Sequence, residues 1–210
     1  MKAIEITKKD LRIEFRTKSS LSLMLLFSLT AAFLFSAAIP DPEKLFSPLL
    51  LIIFFLTGIL GYSTSLLKEV DTETIEGLKA SPITPQQIMI GKMVFNLIIM
   101  FIVQIFIFPI CYALFDVSGN FLLAFLVFVI CNSALAITIT ALSPLLSHSR
   151  SREILLPVLV FPVIFPIISL TVSLTDLALS GEIDIYRLLF MVSFTGLIFS
   201  LSMLTVDRVL

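Results

Sequence analysis

The sequence predicts an all-α, polytopic membrane protein. It has six transmembrane helices, a basic amphipathic helix before the first, and a helical loop between the second and third. Three observations predict it. Of 210 residues, 58% are hydrophobic and only 14% are charged, with a mean hydropathy of +1.11; soluble domains average about 45–50% and about 25%. Six stretches reach the roughly 20 apolar residues that cross a hydrocarbon core, and none of them holds an ionisable side chain. The cations also fall on one side of the layout these stretches define. Strands do not compete, because barrel strands are about 10 residues long with alternating polarity.

The composition excludes several classes. Lys and Arg total 14 against 15 Asp and Glu, so no basic surface for nucleic acid is expected. The chain is too apolar for disorder. Its 2 Cys cannot build a disulfide scaffold. Cys111 is expected near the end of its span and Cys131 nearer the middle of the next, so they should be separate buried residues.

In chain order, residues 1–20 come first. Ile4, Leu11 and Phe15 recur at helical spacing among Lys8, Lys9, Arg12, Arg16 and Lys18. Such a helix lies along a membrane surface with its cations near anionic headgroups. The spans follow at Leu21–Ile39, Leu49–Leu67, Met93–Phe115, Phe121–Ser143, Ile154–Thr175 and Leu188–Val206. The first is longer than a signal-peptide core, and Glu5, Asp10 and Glu14 precede it, so it reads as a retained span. All the connections are too short for a folded domain, giving a single membrane domain over 1–210. With six spans, every Lys and Arg except Lys44 and Arg187 lies on one side. The positive-inside rule therefore puts both termini and the long loop in the cytoplasm.

The spans contain packing chemistry rather than pump chemistry. Coupling-ion sites need ionisable groups inside the membrane, and these spans have none. Ser28, Ala32 and Ser36 repeat every four residues, as do Asn132, Ala136 and Thr140. Gly58 with Gly61, and Ser193 with Gly196 and Ser200, are further small-residue sites for close helix approach. Asn132 and Gln104 should face protein, because lipid satisfies no polar group. Pro157, Pro162 and Pro166 in span five predict a bent or re-entrant element. No phosphate-binding loop exists, so the chain is not expected to hydrolyse ATP, and the single His148 falls in a loop.

The loop from Lys68 to Lys92 is the candidate site. Glu69, Glu73 and Glu76 share one side of a short helix, while Ile75 and Leu78 lie on another. Ser81 and Pro82 stop that helix. Thr84 then reads as an N-cap, with Pro85 at the first position of a helix running into span three. An acidic edge beside an apolar edge suits docking to a soluble partner.

This arrangement resembles the membrane subunits of ABC-2 type exporters, which have an elbow helix before span one and a coupling helix between spans two and three. Within that class it looks like the haem exporter protein B (CcmB) family. The resemblance is carried by Leu11-Arg12-Ile13-Glu14-Phe15-Arg16 and by Pro40-Asp41-Pro42-Glu43. In the loop it is carried by Glu69, Asp71, Ile75-Glu76-Gly77-Leu78, Ser81-Pro82 and Gly91-Lys92. Position 73 is Glu where the family usually has Gly, and Trp is absent.

The resemblance implies a non-catalytic permease subunit in the inner membrane, working with a separate ABC ATPase in cytochrome c biogenesis. Glu69, Asp71, Glu73, Glu76, Leu78, Ser81 and Pro82 would contact that ATPase. ATP would be held by the ATPase, haem would be a substrate, and no cofactor is expected on this chain. Implied partners are a haem-handling membrane protein, a small single-span subunit, membrane lipids and a second copy of the chain. Two alternatives stay open: a permease for a lipid, drug or other apolar substrate, and a scaffold that moves nothing.

Overall fold

A computed structural model describes residues 2–71, 84–143 and 152–209. Among the described residues there are seven α-helices, one short 3-10 turn and no strand. The helices are α1 (Lys2–Thr17), α2 (Ser19–Ala38), α3 (Phe46–Asp71), α4 (Pro85–Leu114), α5 (Phe121–Leu142), α6 (Arg152–Leu179) and α7 (Ile185–Val209). The six from α2 to α7 are long and apolar enough to cross a membrane.

The helix in the middle is α5, which packs on α3, α4, α6 and α7. Its buried side includes Ala124, Phe128, Cys131, Leu135 and Ile139. At the rim lies α2, against α3 and α4, with Leu26, Phe33 and Leu34 pointing outward. In water such exposure would be costly, but a hydrocarbon surround accepts it.

One end of the bundle is fixed by polar contacts between different spans. The Ser36 hydroxyl donates to the Leu114 carbonyl at 3.1 Å, and the Ser47 hydroxyl donates to Asp176. The Asn120 N–H donates to the Leu179 carbonyl at 2.9 Å, while its side chain caps α5 by accepting from Leu123 N. Beneath this end lies a phenylalanine cluster. The ring of Phe108 meets Phe46 edge-on at 5.7 Å and Phe125 at 5.4 Å, and Phe54 meets Phe128 at 5.0 Å. Edge-to-face aromatic pairs add about 0.5–1.5 kcal/mol each beyond burial.

Small residues act where the sequence places them, with one exception. A Cβ on Gly58 would sit 2.8 Å from Ile139 Cδ1, and one on Gly61 would sit 2.5 Å from Met24 Sδ. Ser28 and Ala32 are buried, as are Ala136 and Thr140. Asn96 Nδ2 donates to Thr140 Oγ1 at 2.7 Å. The exception is Ser193, Gly196 and Ser200. Helix α7 packs through Met191, Thr195, Ile198 and Ser202, and the glycine stripe lies on its opposite, exposed face. Nothing lies within 4 Å of a Cβ at Gly196.

The other intramembrane expectations are met with one correction. Asn132 and Gln104 are buried and bonded to each other, with Asn132 Nδ2 donating to Gln104 Oε1 at 3.0 Å. Asn132 Nδ2 also donates to the Met100 carbonyl, and Gln104 Nε2 donates to that of Phe125. Both cysteines are free and buried. The re-entrant reading of span five does not hold, because α6 runs unbroken through Pro157, Pro162 and Pro166. Pro162 and Pro166 lie away from the buried side formed by Val160, Ile164, Ile167 and Thr171.

Gly119 should be sensitive to substitution. Its φ is +137°, and an added Cβ would sit 2.5 Å from the Leu179 carbonyl oxygen. Gly119→Ala is expected to destabilise the protein by about 1–3 kcal/mol, read as a lowered Tm in detergent, while Gly196→Ala leaves the Tm unchanged.

Candidate functional site

The candidate site is where α3 leaves the bundle and α4 enters it. At 1.5 Å per residue, α3 is about 39 Å long and α4 about 45 Å. Both exceed the roughly 30 Å of a hydrocarbon core. Each is therefore long enough to span with residues to spare. Residues 72–83 connect them. Of the predicted contact residues, Glu69 and Asp71 belong to the last turns of α3. Glu73, Glu76, Leu78, Ser81 and Pro82 lie outside the described residues, as does His148.

The far edge of the loop is built as the sequence predicts. Thr84 caps α4 and Pro85 takes the first position. The Gln87 N–H donates to Thr84 Oγ1, and Gln87 Oε1 accepts from Thr84 N, both at 3.4 Å. This reciprocal box satisfies two backbone donors that a helix start otherwise leaves open. From there α4 continues without interruption to Leu114.

Two turns further on, α1 docks against α4. The contact is close because Gly91 has no side chain. A Cβ there would meet the Ala3 carbonyl oxygen at 2.9 Å and Ile6 Cβ at 3.0 Å. Thr7 Oγ1 donates to the Gly91 carbonyl at 2.9 Å. Beside it, Lys92 Nζ lies 2.7 Å from Asp10 Oδ2, with the two side chains only 3% and 6% exposed. Burying either charge alone would cost several kcal/mol, so each depends on the pairing.

The sequence marks Ile4, Leu11 and Phe15 as the apolar stripe of α1, but the row that meets protein is a different one. Ile6, Asp10 and Glu14, spaced i, i+4, i+8, are buried together with Thr7. Ile4 and Phe15 are 56% and 50% exposed. Glu14 has its own task. Lys18 takes a left-handed conformation, φ 51°, that ends α1. The Glu14 carboxylate then accepts from Leu21 N at 2.7 Å, capping α2. A carboxylate at a helix N-terminus is stabilised by the helix dipole. The available signal was the pair of acids four residues apart inside a basic segment, opposite a Gly-Lys pair at the start of a span.

Among the described residues, no three of His, Cys, Asp or Glu converge on one point. What converges is a capped helix start, a glycine contact and a buried ion pair, all at the loop's exit.

A family model described as CcmB protein matches residues 1–207. No curated protein matches the chain.

The ion pair yields a graded prediction. Asp10→Ala leaves Lys92 buried without that partner and is expected to cost about 3–5 kcal/mol. Replacing both, as Asp10→Leu with Lys92→Met, should recover most of that loss. Thermal unfolding in detergent checks the series. Gly91→Val should release α1 while α2 to α7 stay folded, read as faster tryptic cleavage at Lys8 and Lys9.

Proposed function

The chain belongs to the CcmB family, and from that membership we propose that it is the permease subunit of an ATP-driven haem export complex for cytochrome c biogenesis. As a family member it is an integral membrane protein of the haem-exporter permease class. The proposal adds the partner, the energy source and the moving part.

In this reading the loop seats on a separate ABC ATPase. Glu69, Asp71, Glu73 and Glu76 meet basic groups on the ATPase, Leu78 fills an apolar site, and Ser81 and Pro82 shape the turn. ATP binding closes the ATPase and displaces the loop, and α3 and α4 carry that displacement into the bundle. The supporting observation is that α4 runs as one helix from the capped Thr84 edge of the loop to Leu114, with its internal proline, Pro109, only in the last two turns. A rigid helix passes a displacement along its length, whereas a broken one would absorb it.

Haem enters this reading as substrate, and ATP is held by the ATPase subunit. A haem-handling membrane protein and a small single-span subunit join the assembly, and a second copy of this chain or another membrane subunit completes the six spans into a pathway. Both termini and the loop face the cytoplasm, as the distribution of Lys and Arg supports.

The test is affinity capture of the tagged chain from native membranes in mild detergent, with mass spectrometry of what is retained. An ATPase together with haem-handling membrane proteins is the expected result. An ATPase alone would favour an exporter of another apolar substrate. No ATPase, where a control ABC complex survives, would leave a scaffold. Glu76→Lys is expected to weaken ATPase retention by up to about 3 kcal/mol; retention equal to wild type would remove Glu76 from the interface.

A further inference from the structure

Among the described residues, no other element packs against the outward face of α1, yet its chemistry is sorted. Two of its three acids, Asp10 and Glu14, are turned inward, one paired with Lys92 and one capping α2. Three of its cations, Lys8, Arg12 and Arg16, form an exposed row at i, i+4, i+8, with Lys18 beyond it and Lys9 reaching back to Asp10 Oδ1 at 3.3 Å. Glu5 is the one acid left outside. Next to the cation row runs the apolar stripe of Ile4, Leu11 and Phe15, of which Ile4 and Phe15 are the exposed members. An apolar stripe beside a cation row fits the boundary between acyl chains and anionic headgroups. A soluble acidic partner would match the cations but leave the stripe in water.

The inward face of the same helix grips α4 at Gly91 and Lys92, only two turns from the capped edge of the loop. Helix α1 rests on α4 far more than on α2, the helix that follows it. Whatever holds α1 at the membrane surface therefore also holds the start of α4.

We propose that α1 is a binding surface for anionic phospholipid headgroups, and that the Asp10–Lys92 pair transmits its occupancy to the first turns of α4. Lipid charge thereby sets how firmly the entrance to the loop is held. The consequence for transport rests on the coupling role proposed above. The lipid binding and its transmission do not, and the experiment reads only those two.

The full chain is placed in nanodiscs of phosphatidylcholine, or of equal parts phosphatidylcholine and phosphatidylglycerol, and amide hydrogen exchange is followed over residues 2–17 and 84–92. Each cation near an anionic surface contributes about a fivefold preference. Exchange in both segments is expected to slow by roughly an order of magnitude in the anionic discs. About 1 M salt, where the Debye length is about 3 Å, should reverse the effect. Arg12→Gln with Arg16→Gln should weaken it in both segments. Asp10→Asn with Lys92→Met leaves no buried lone charge. It should keep the lipid effect on 2–17 and lose it on 84–92. Exchange indifferent to lipid charge would overturn the lipid site. A lipid effect on 84–92 that survives the Asp10/Lys92 change would overturn the transmission. Slowing that appears in neutral discs only on adding an ATPase would assign the face to protein.

Discussion

Every polar group inside the bundle has to find its partner within the protein, because hydrocarbon offers none. This constraint selects helices, since a helix satisfies its own backbone, and it then governs the side chains. Several buried hydroxyls turn back on their own helix: Thr57 donates to the Ile53 carbonyl, Thr138 to that of Ala134, and Thr195 to that of Met191. Among the described residues, the buried hydroxyls of Thr171 and Thr175 and the Asn132 Oδ1 go without a hydrogen bond. The two amides that cannot do so, Asn132 and Gln104, bond each other and free carbonyls across α4 and α5. Packing supplies the remaining cohesion. Hydrophobic exclusion does not drive span against span in lipid, so glycines at 58 and 61 and interlocked rings around Phe108 take its place.

At the loop end the same constraint produces a different answer. There the chain buries charge, and it does so in a matched pair. The Asp10–Lys92 contact is a poor source of net stability, because an apolar pair of the same shape would hold as well. Its value lies in register: Asp10, which also meets Lys9 Nζ at 3.3 Å, reaches across to Lys92 next to Gly91, where the backbones can touch. The pair thus fixes which turn of α1 lies on which turn of α4. The Glu14 cap on α2 fixes the other end of α1.

Local and length-dependent features of this fold were legible in the sequence. Six apolar runs became six long helices, and Thr84-Pro85 marked a helix start because capping depends only on residues within one turn. Asn132 and Gln104 were legible because lipid leaves an amide no choice. The docking face of α1 was not. Periodicity says which residues share a row, but it does not say which row meets protein when lipid awaits an apolar row on the outside. Ile4 and Phe15 are as well placed in a bilayer as in a core, so the inner row could be the polar one, Asp10 and Glu14 included. The same ambiguity hid the outward orientation of Ser193, Gly196 and Ser200. The unbroken course of α6 was illegible because neighbours, not sequence, decide whether a proline breaks a helix inside a membrane.

The bond from Thr7 to Gly91 joins residues 84 positions apart, and that separation sets an order of events during synthesis. Helix α1 leaves the ribosome before its seat on α4 exists. At translation rates of 5–20 residues per second, roughly 4–17 s pass before Gly91 and Lys92 are made. Through that interval Asp10 and Thr7 remain in water at the membrane surface while α2 and α3 insert. Helix α1 can therefore be seated only once the start of span three has been made. A nascent chain with span three inverted would place Lys92 across the bilayer from Asp10, leaving the inner row of α1 exposed to quality-control proteases.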